Sequence, residues 1–228
     1  MKRIAIIAAM AGELQPLVRG WTRESRHSVD LWRSRQGASE WMAACAGAGK
    51  DAAKRAFEEI EKDGAIDLVV STGWAGALRE EFAAGRAYPV SGVIDACTGE
   101  RFAVASQSAE CWLVTSDRVA DKAEKRRLAA AYGAGLVDME AAGVARLAAL
   151  RGIPFYCLKG LSDGLADRLP DFNGFISANG QFQSARFIFF ALLRPWHWPA
   201  LMRLGQNSRK AAQAIAESLR DLLEHPPR

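Results

Sequence analysis

The sequence predicts a single α/β domain, because short apolar runs typical of buried strands alternate with longer segments whose apolar residues recur at helical spacing. Three runs rich in Ile, Val, Leu and Ala carry this pattern, at residues 3–9, 66–70 and 153–158. Strands buried on both faces of a sheet have such a composition. Small or polar residues follow each run, as expected where strands end at a ligand-binding edge of the sheet.

The chain has 228 residues, of which 50% are hydrophobic, enough for one sizeable domain and slightly short for two. No internal repeat, low-complexity tract or linker divides it. We therefore expect an α/β domain over residues 1–185, with residues 186–228 forming helices that pack on the same domain and include a candidate lipid-facing segment.

The charge pattern and the cysteines limit the classes of function that the chain could have. Thirty basic and 26 acidic residues are interleaved and leave a formal charge of only +4, so nothing calls for a nucleic-acid partner. Four cysteines lie far apart without CxxC spacing, and we expect reduced thiols and neither a metal nor a cofactor. No apolar segment reaches the roughly 18 to 20 residues of a membrane span, so we expect a cytoplasmic protein that touches a membrane at most.

The first half contains two candidate site features. Glu13 stands at the exit of the first predicted strand, where a carboxylate is either solvated surface or a site group, and spacing alone favours the surface. After a predicted hairpin at residues 29–46, a turn containing Gly49 and Lys50 opens a helix at residues 51–62. Such turns bind anions through backbone N–H groups. The turn is not a P-loop, because Asp51 replaces the usual Ser or Thr, and a turn needed only for packing is an equal alternative.

Small residues also follow the strand predicted at residues 66–70. Ser71, Thr72 and Gly73 would let a ligand lie against the backbone, and Trp74 could stack on a base or simply pack. Further strands are predicted at residues 85–94 and 111–115, and a charged helix at residues 121–132.

The stretch from residue 137 to residue 167 organises the prediction. Glu140 stands near the start of a helix that runs through Leu150, and Asp163 follows the strand at residues 153–158. Each has an ordinary explanation alone, since Glu140 could compensate the helix dipole and Asp163 could belong to a turn. Together they flank one α–β unit, so both could face a single pocket.

Two predicted helices, at residues 180–193 and 201–223, end the chain. Between them, Trp196 and Trp198 are flanked by arginines and preceded by several phenylalanines, a pattern typical of a membrane-interface anchor. The alternative is a helix corner whose tryptophans fill a core or a subunit interface.

Five segments together resemble one known family: IAIIAAMAGEL, GAGKDAA, DLVVSTGWAGAL, VDMEAAGVARLA and IPFYCLKGLSD. The chain resembles the nucleoside phosphorylase and nucleosidase superfamily, which contains purine nucleoside phosphorylases and methylthioadenosine/S-adenosylhomocysteine nucleosidases. The resemblance implies a three-layer α/β/α fold with a central mixed sheet and a helical C-terminal extension. It also implies cleavage of the N-glycosidic bond of a purine nucleoside, and we expect a homodimer.

The resemblance also implies roles for individual residues. Glu140 would bind the ribose hydroxyls, Met139 would pack on the sugar, Asp163 with Ser162 would stand at the base, and Glu13 would orient the attacking water. Asp163 would protonate the purine nitrogen N7, for which it must be buried or lie beside another carboxylate.

Residues 71–76 would line the sugar and nucleophile side of the pocket. Val119 falls where the nucleosidases tend to have a base-stacking aromatic, and Trp74 replaces a small polar residue, so the sequence departs from the usual substrate pocket at both positions.

The tail, with its Ala-Leu-Leu-Arg-Pro and Pro-Ala-Leu-Met-Arg-Leu segments, resembles the hopanoid-associated branch of the superfamily. That resemblance implies release of adenine from an adenosyl group linked to a polycyclic lipid through its 5′ carbon. The nucleophile is left open: Glu13 favours water, whereas Gly49, Lys50 and Arg79 keep phosphate as an alternative. A non-catalytic nucleoside- or lipid-binding protein is the remaining alternative.

Overall fold

A computed structural model describes residues 2–105, 111–167, 169–177 and 179–224. Its strands are β1 (Lys2–Ala8), β2 (Thr22–Arg26), β3 (Val29–Gln36), β4 (Ser39–Cys45), β5 (Leu68–Ser71), β6 (Trp74–Ala77), β7 (Ala87–Pro89), β8 (Gly92–Asp95), β9 (Arg101–Ala103), β10 (Trp112–Thr115), β11 (Leu136–Asp138) and β12 (Phe155–Asp163). Its α-helices are α1 (Ala11–Leu14), α2 (Lys50–Glu61), α3 (Lys122–Tyr132), α4 (Ala141–Arg151), α5 (Ser184–Leu192) and α6 (Trp198–Glu224).

The strands form one mixed sheet in the order β2-β3-β4-β1-β5-β12-β6-β11-β10-β8-β9, and β7 pairs with β12 off this path. The long strand β12 joins the two halves, because its first part pairs in parallel with β5 and its last part in parallel with β6. Pairs such as β6 with β11 and β3 with β4 are antiparallel. The predicted mixed sheet is confirmed.

Alternation along β1 explains the three layers. Ala5 and Ile7 point into a core that contains residues of α2 and α4. Ile4 and Ile6 point to the opposite face, where they meet Ile215 and other apolar residues of α6. Because both faces of β1 are covered, the strand needs no polar side, which is why its sequence is a continuous apolar run.

The predicted hairpin is confirmed by β3 and β4, but four short strands, β6, β7, β8 and β11, differ from the prediction. The strand predicted at residues 85–94 is two strands, β7 and β8, and Pro89 ends the first of them. Strands β6 and β11 were not among the predicted strands. They have four and three residues, too few to show a period of two. Pairing defines them, because β6 pairs with β12 and β11, and β11 also pairs with β10.

The C-terminal helix α6 packs on β12. A Cβ atom on Gly160 of β12 would lie 2.8 Å from Ile215 Cδ1 and 3.0 Å from Ala211 Cβ, so the glycine permits the close approach of helix and strand. None of the helices in the described ranges combines the length and hydrophobicity that a bilayer span requires.

Candidate active site

A cavity of about 340 Å³ opens where β1, β6, β11 and β12 end or turn, and α5 and α6 close its far side. Its size suits a small organic ligand. Seven of the residues singled out in the sequence line it: Glu13, Trp74, Val119, Met139, Glu140, Ser162 and Asp163.

Glu13 is held rigidly by backbone N–H groups. Its Oε2 accepts hydrogen bonds from Ala9 N at 2.8 Å and Met10 N at 2.9 Å, and its Oε1 accepts one from Trp74 N at 2.8 Å. The side chain is buried at the turn after β1, so the reading of Glu13 as a solvated surface group is wrong. Burial raises the pKa of Glu13 above its ordinary value, although the three N–H groups and Lys159 act in the opposite direction.

Gly73 makes this position of Glu13 possible. Its φ of +116° suits glycine, and a Cβ atom there would lie 2.8 to 2.9 Å from the carboxyl atoms of Glu13. The glycine therefore lies behind the carboxylate and shapes the site without lining the cavity.

Glu140 lies at the N-termini of two helices. Its Oε1 accepts a hydrogen bond of 2.8 Å from Gly49 N, at the start of α2, and its Oε2 accepts one of 3.1 Å from Met139 N. It is the N-terminal flanking residue of α4. Burial, followed by the nearby charge of Asp138, raises the pKa of Glu140 to about 8, and Glu13 adds to the rise.

A buried ion pair supports this end of the cavity. Lys159 Nζ lies 2.9 Å from Asp138 Oδ2 and donates to the carbonyl oxygen of Thr72, and both charged side chains are fully buried. Thr115 Oγ1 and Ala141 N donate to the same carboxylate at 2.7 and 2.9 Å. Although burial alone disfavours the charged amine, Asp138 and Glu140 raise the pKa of Lys159 above its ordinary value.

Asp163 forms a second buried ion pair at the other end. Lys125 Nζ donates to Asp163 Oδ2 and, at 2.8 Å, to the carbonyl oxygen of Gly164. Ser162 Oγ donates to Asp163 Oδ1 at 2.6 Å. The prediction that Asp163 is buried or next to a carboxylate thus holds for burial, but its charged partner is a cation.

Two positions where the sequence departs from the family pattern are held by hydrogen bonds to later parts of the chain. The indole Nε1 of Trp74 donates to the carbonyl oxygen of Ser208 on α6 at 2.9 Å, which fixes the ring at the cavity wall. Val119 N and O are both bonded to the side chain of Asn173, at 2.8 and 3.1 Å.

The structure does not bring Ser71 and Thr72 to the cavity wall. Both side chains are buried, and neither hydroxyl has a hydrogen-bond partner among the described residues. Neither residue is among those that line this cavity, and Ser71 ends β5, so their contact with a ligand stays a prediction.

The candidate phosphate residues do not form one anion site. The Gly49 N–H is bonded to Glu140, and Lys50 Nζ is paired with Asp95 at 3.0 Å and Asp117 at 2.8 Å. Arg79 donates to the carbonyl oxygen of Gly133, which precedes β11, whereas Glu140 follows that strand. The backbone N–H that the glycine turn would offer to an anion is thus taken by the protein's own Glu140 carboxyl.

The far side of the cavity is apolar. It is formed by side chains from the segment before α5 and from α5 and α6, namely Leu169, Phe172, Ile176, Phe182, Phe187 and Leu204. The aromatic rings contact one another, with Phe172 and Phe187 at 5.3 Å and Phe182 and Phe187 at 5.4 Å between centroids. Sequence analysis did not assign these residues to the site.

Exposed apolar residues are also found in the same part of the chain. They are Ile188, Phe189, Leu192, Leu193, Trp196, Trp198 and Met202, which we call the α5 surface. Trp196 is 69% exposed and Trp198 is 46% exposed, so the alternative in which these tryptophans fill the core of the chain is wrong. Across the described part of the chain, no group of three or more His, Cys, Asp or Glu side chains is arranged to hold a metal ion.

Solved structures with the same fold include several nucleoside-cleaving enzymes. The apo structure of 5′-methylthioadenosine nucleosidase from Arabidopsis thaliana aligns with a TM-score of 0.78 at 16% identity, over 100% of this chain and 98% of that one. S-adenosylhomocysteine nucleosidase from Streptococcus pyogenes, in complex with 5-methylthiotubericidin, gives 0.75 at 19% identity, over 100% and 98%. Futalosine hydrolase of Helicobacter pylori gives 0.74 at 17% identity, over 98% and 97%.

These structural alignments establish the fold, including the α6 extension. A comparison with curated protein sequences finds no significant match. The phosphorylase superfamily model matches residues 3–110 and 111–188, well over half of the sequence, which confirms the resemblance at superfamily level. The chain therefore belongs to the phosphorylase superfamily of enzymes.

Proposed function

We propose that the protein hydrolyses the N-glycosidic bond of a purine nucleoside of the adenosine type that carries a 5′ substituent, and that it releases adenine. The observation that carries this proposal is the convergence of Glu13, Glu140 and Asp163 on one cavity of nucleoside size. The nucleosidases of the same fold support the reaction class.

Cleavage of an N-glycosidic bond passes through a cation-like sugar and a departing base that must be neutralised. Glu140 is suited to the sugar, because its carboxyl can accept hydrogen bonds from the ribose hydroxyls. Its ionised form, favoured above its pKa of about 8, would also stabilise positive charge on the ring. Met139, next to it in the cavity wall, packs on the sugar face. Asp163 is suited to the base, because it can deliver a proton to the ring nitrogen. Ser162 holds the Asp163 carboxyl in place through a hydrogen bond.

Water is the nucleophile that this cavity favours. Each of Glu13's two oxygens accepts backbone hydrogen bonds, yet a carboxylate offers about four acceptor positions, so one remains to orient a water molecule. Any negative charge on Glu13 or Glu140 would repel phosphate. Lys50, which could have attracted phosphate, is already paired with two carboxylates.

The 5′ substituent that we propose is apolar and large. Beyond the polar groups, the cavity is bounded by phenylalanine and leucine side chains. Ile188 of the exposed α5 surface directly follows Phe187 of this wall in the sequence. A nucleoside linked to a lipid, such as the adenosyl hopanoid that the tail resemblance implies, could place its apolar group there.

We also propose that the α5 surface contacts a membrane from the cytoplasmic side. Its tryptophans and Met202 are exposed, and Arg194 lies 4.2 Å from the ring of Phe190, so aromatic and cationic groups stand together as at a headgroup interface. The expected homodimer is tested separately by sedimentation without lipid, which reports the oligomeric state.

The direct test is release of free purine base by the purified protein, with adenosine, methylthioadenosine and a 5′-alkyl adenosine as substrates, each with and without phosphate. We expect adenine release that does not depend on phosphate and is fastest with the alkyl substrate. Strict dependence on phosphate would replace hydrolysis with phosphorolysis. No release from any of the three would favour a non-catalytic binding protein.

A further inference from the structure

Lys125 is a buried lysine that has no role in the reaction proposed above. It lies on α3 and is only 3% exposed, whereas its neighbours Arg126 and Arg127 are exposed. Burying an ammonium group is costly, and a buried ion pair is often no more stable than an apolar pair of the same volume. A charged pair kept in a cavity wall is therefore a candidate for a chemical role.

The surrounding backbone is shaped around this lysine. A Cβ atom on Gly76 would lie 3.0 Å from Lys125 Cε and 3.2 Å from both Lys125 Nζ and Asp163 Oδ2. Gly76, Lys125 and Asp163 all line the cavity, so the pair lies at the wall that a ligand would touch. The ammonium has three protons, and Asp163 Oδ2 and Gly164 O accept two of them.

The hydrogen bonds also indicate which group carries the proton. Asp163 accepts at both oxygens, from Lys125 at Oδ2 and from Ser162 at Oδ1. This arrangement fits the carboxylate form, which only accepts hydrogen bonds and has no proton of its own to give. The transferable protons of the pair are those on Lys125.

We infer that Lys125 is the proton source of the reaction and acts on the purine through Asp163. This inference rests on the proposed function. One N–H bond of Lys125 Nζ breaks as the proton moves to Asp163 Oδ2, and the lysine is left as a neutral amine.

The same proton then bonds to the purine ring nitrogen as the C1′–N9 bond breaks, and the electron pair of that bond stays with the base. Water adds to C1′ and releases a proton, which restores the ammonium of Lys125. A lysine amine can exchange a proton with a neighbouring acid, whereas arginine keeps its proton in proteins.

The test compares two substrates and two lysine variants in the full-length protein. The substrates are a purine riboside, whose base must be protonated to leave, and 4-nitrophenyl riboside, whose nitrophenolate leaves without a proton. The variants are Lys125→Arg, which keeps the charge and the ion pair but cannot give up its proton, and Lys125→Gln, which is neutral. Arg126→Met removes an exposed cation from the same helix and serves as the control.

We expect both lysine variants to lower purine release by about 10² to 10⁴-fold and to leave nitrophenyl riboside cleavage near the wild-type rate. Purine release by Lys125→Arg near the wild-type rate would overturn the inference, since charge alone would then suffice. Equal loss on both substrates would also overturn it, because the lysine would then only support the site. Failure of the wild-type protein to release the purine would instead count against the proposed function.

Discussion

The backbone N–H of Gly49 donates a 2.8 Å hydrogen bond to Glu140 Oε1, which joins the start of α2 to the start of α4. The two helices can approach so closely because α4 has a glycine at the contact. A Cβ atom on Gly143 would lie 2.8 Å from the carbonyl oxygen of Lys50. Two positive helix ends therefore face one buried carboxyl, which fixes Glu140 in the cavity wall.

The first prediction concerns pH and stability. Burial and the charge of Asp138 raise the pKa of Glu140 from an ordinary 4.5 to about 8, so the folded protein binds a proton that the unfolded chain has already lost between these values. The contribution of Glu140 to the free energy of unfolding is therefore full below about pH 4.5 and is lost as the pH rises towards 8.

The glutamine in Glu140→Gln cannot titrate. The melting temperature of this variant should therefore rise relative to that of the wild type as the pH increases from 5 to about 8. Thermal unfolding of both proteins across this range measures the difference. A difference that does not change with pH would show that Glu140 does not titrate in this window.

The second prediction concerns Asp163. Asp163→Asn should lower the turnover number for base release by about 10² to 10⁴-fold, because an amide cannot pass a proton to the base. Asp51→Asn changes an exposed carboxylate paired with Lys54 and should leave turnover unchanged. Similar melting temperatures would exclude unfolding as the cause, and normal turnover in Asp163→Asn would remove Asp163 from the proton-donating role.

The third prediction concerns Gly73 and separates the effect of backbone strain from the effect of a clash with Glu13. Gly73→Ala should destabilise the protein by about 1 to 3 kcal/mol through its positive φ, and it should also lower turnover by displacing Glu13. Gly20→Ala is the matched control, because its φ is +82° and nothing lies within 4 Å of the added Cβ. Urea unfolding and base release measure the two effects. Full activity in Gly73→Ala would mean that Glu13 need not hold its present position.

The fourth prediction concerns the α5 surface. Replacing both Trp196 and Trp198 with Ser should weaken binding to phosphatidylglycerol-containing vesicles by about tenfold or more, because each ring loses burial in the lipid interface. Leu150→Ser is the control, since Leu150 is 75% exposed at the end of α4 and does not belong to that surface. Co-sedimentation measures binding. Equal binding by the double variant and the wild type would exclude this surface as the membrane contact.

The sequence predicted the acidic part of the site well. Glu140 and Asp163 were found because a helix start and a strand end on one α–β unit meet at one edge of a sheet. Spacing alone predicted Glu13 to be a surface residue, because its position after a strand does not reveal the three backbone N–H groups that bind its carboxyl. Lys159 carried a signal that sequence analysis did not use, because a lysine inside an apolar strand is rarely left without a carboxylate partner.

Other features depend on tertiary structure that no local pattern contains. Lys125 is one of several basic residues at the start of α3, and only its position relative to β12 distinguishes it from Arg126. The aromatic wall comes from an irregular segment, and long-range contacts such as the hydrogen bond from Ala48 N to Gly180 O define its path. Lys50 was predicted as a candidate phosphate ligand, but it is paired within the protein. Its two carboxylate partners come from β8 and from the loop after β10, which the local sequence does not reveal.

The most direct test of the central claim is a structure of the protein with a purine nucleoside analogue whose glycosidic bond cannot be cleaved. We predict that one molecule lies in the cavity with its ribose hydroxyls within about 2.6 to 3.2 Å of the Glu140 carboxyl and its base nitrogen at the same distance from Asp163. An analogue bound elsewhere, or bound with only one of the two carboxyl groups in contact, would contradict the claim.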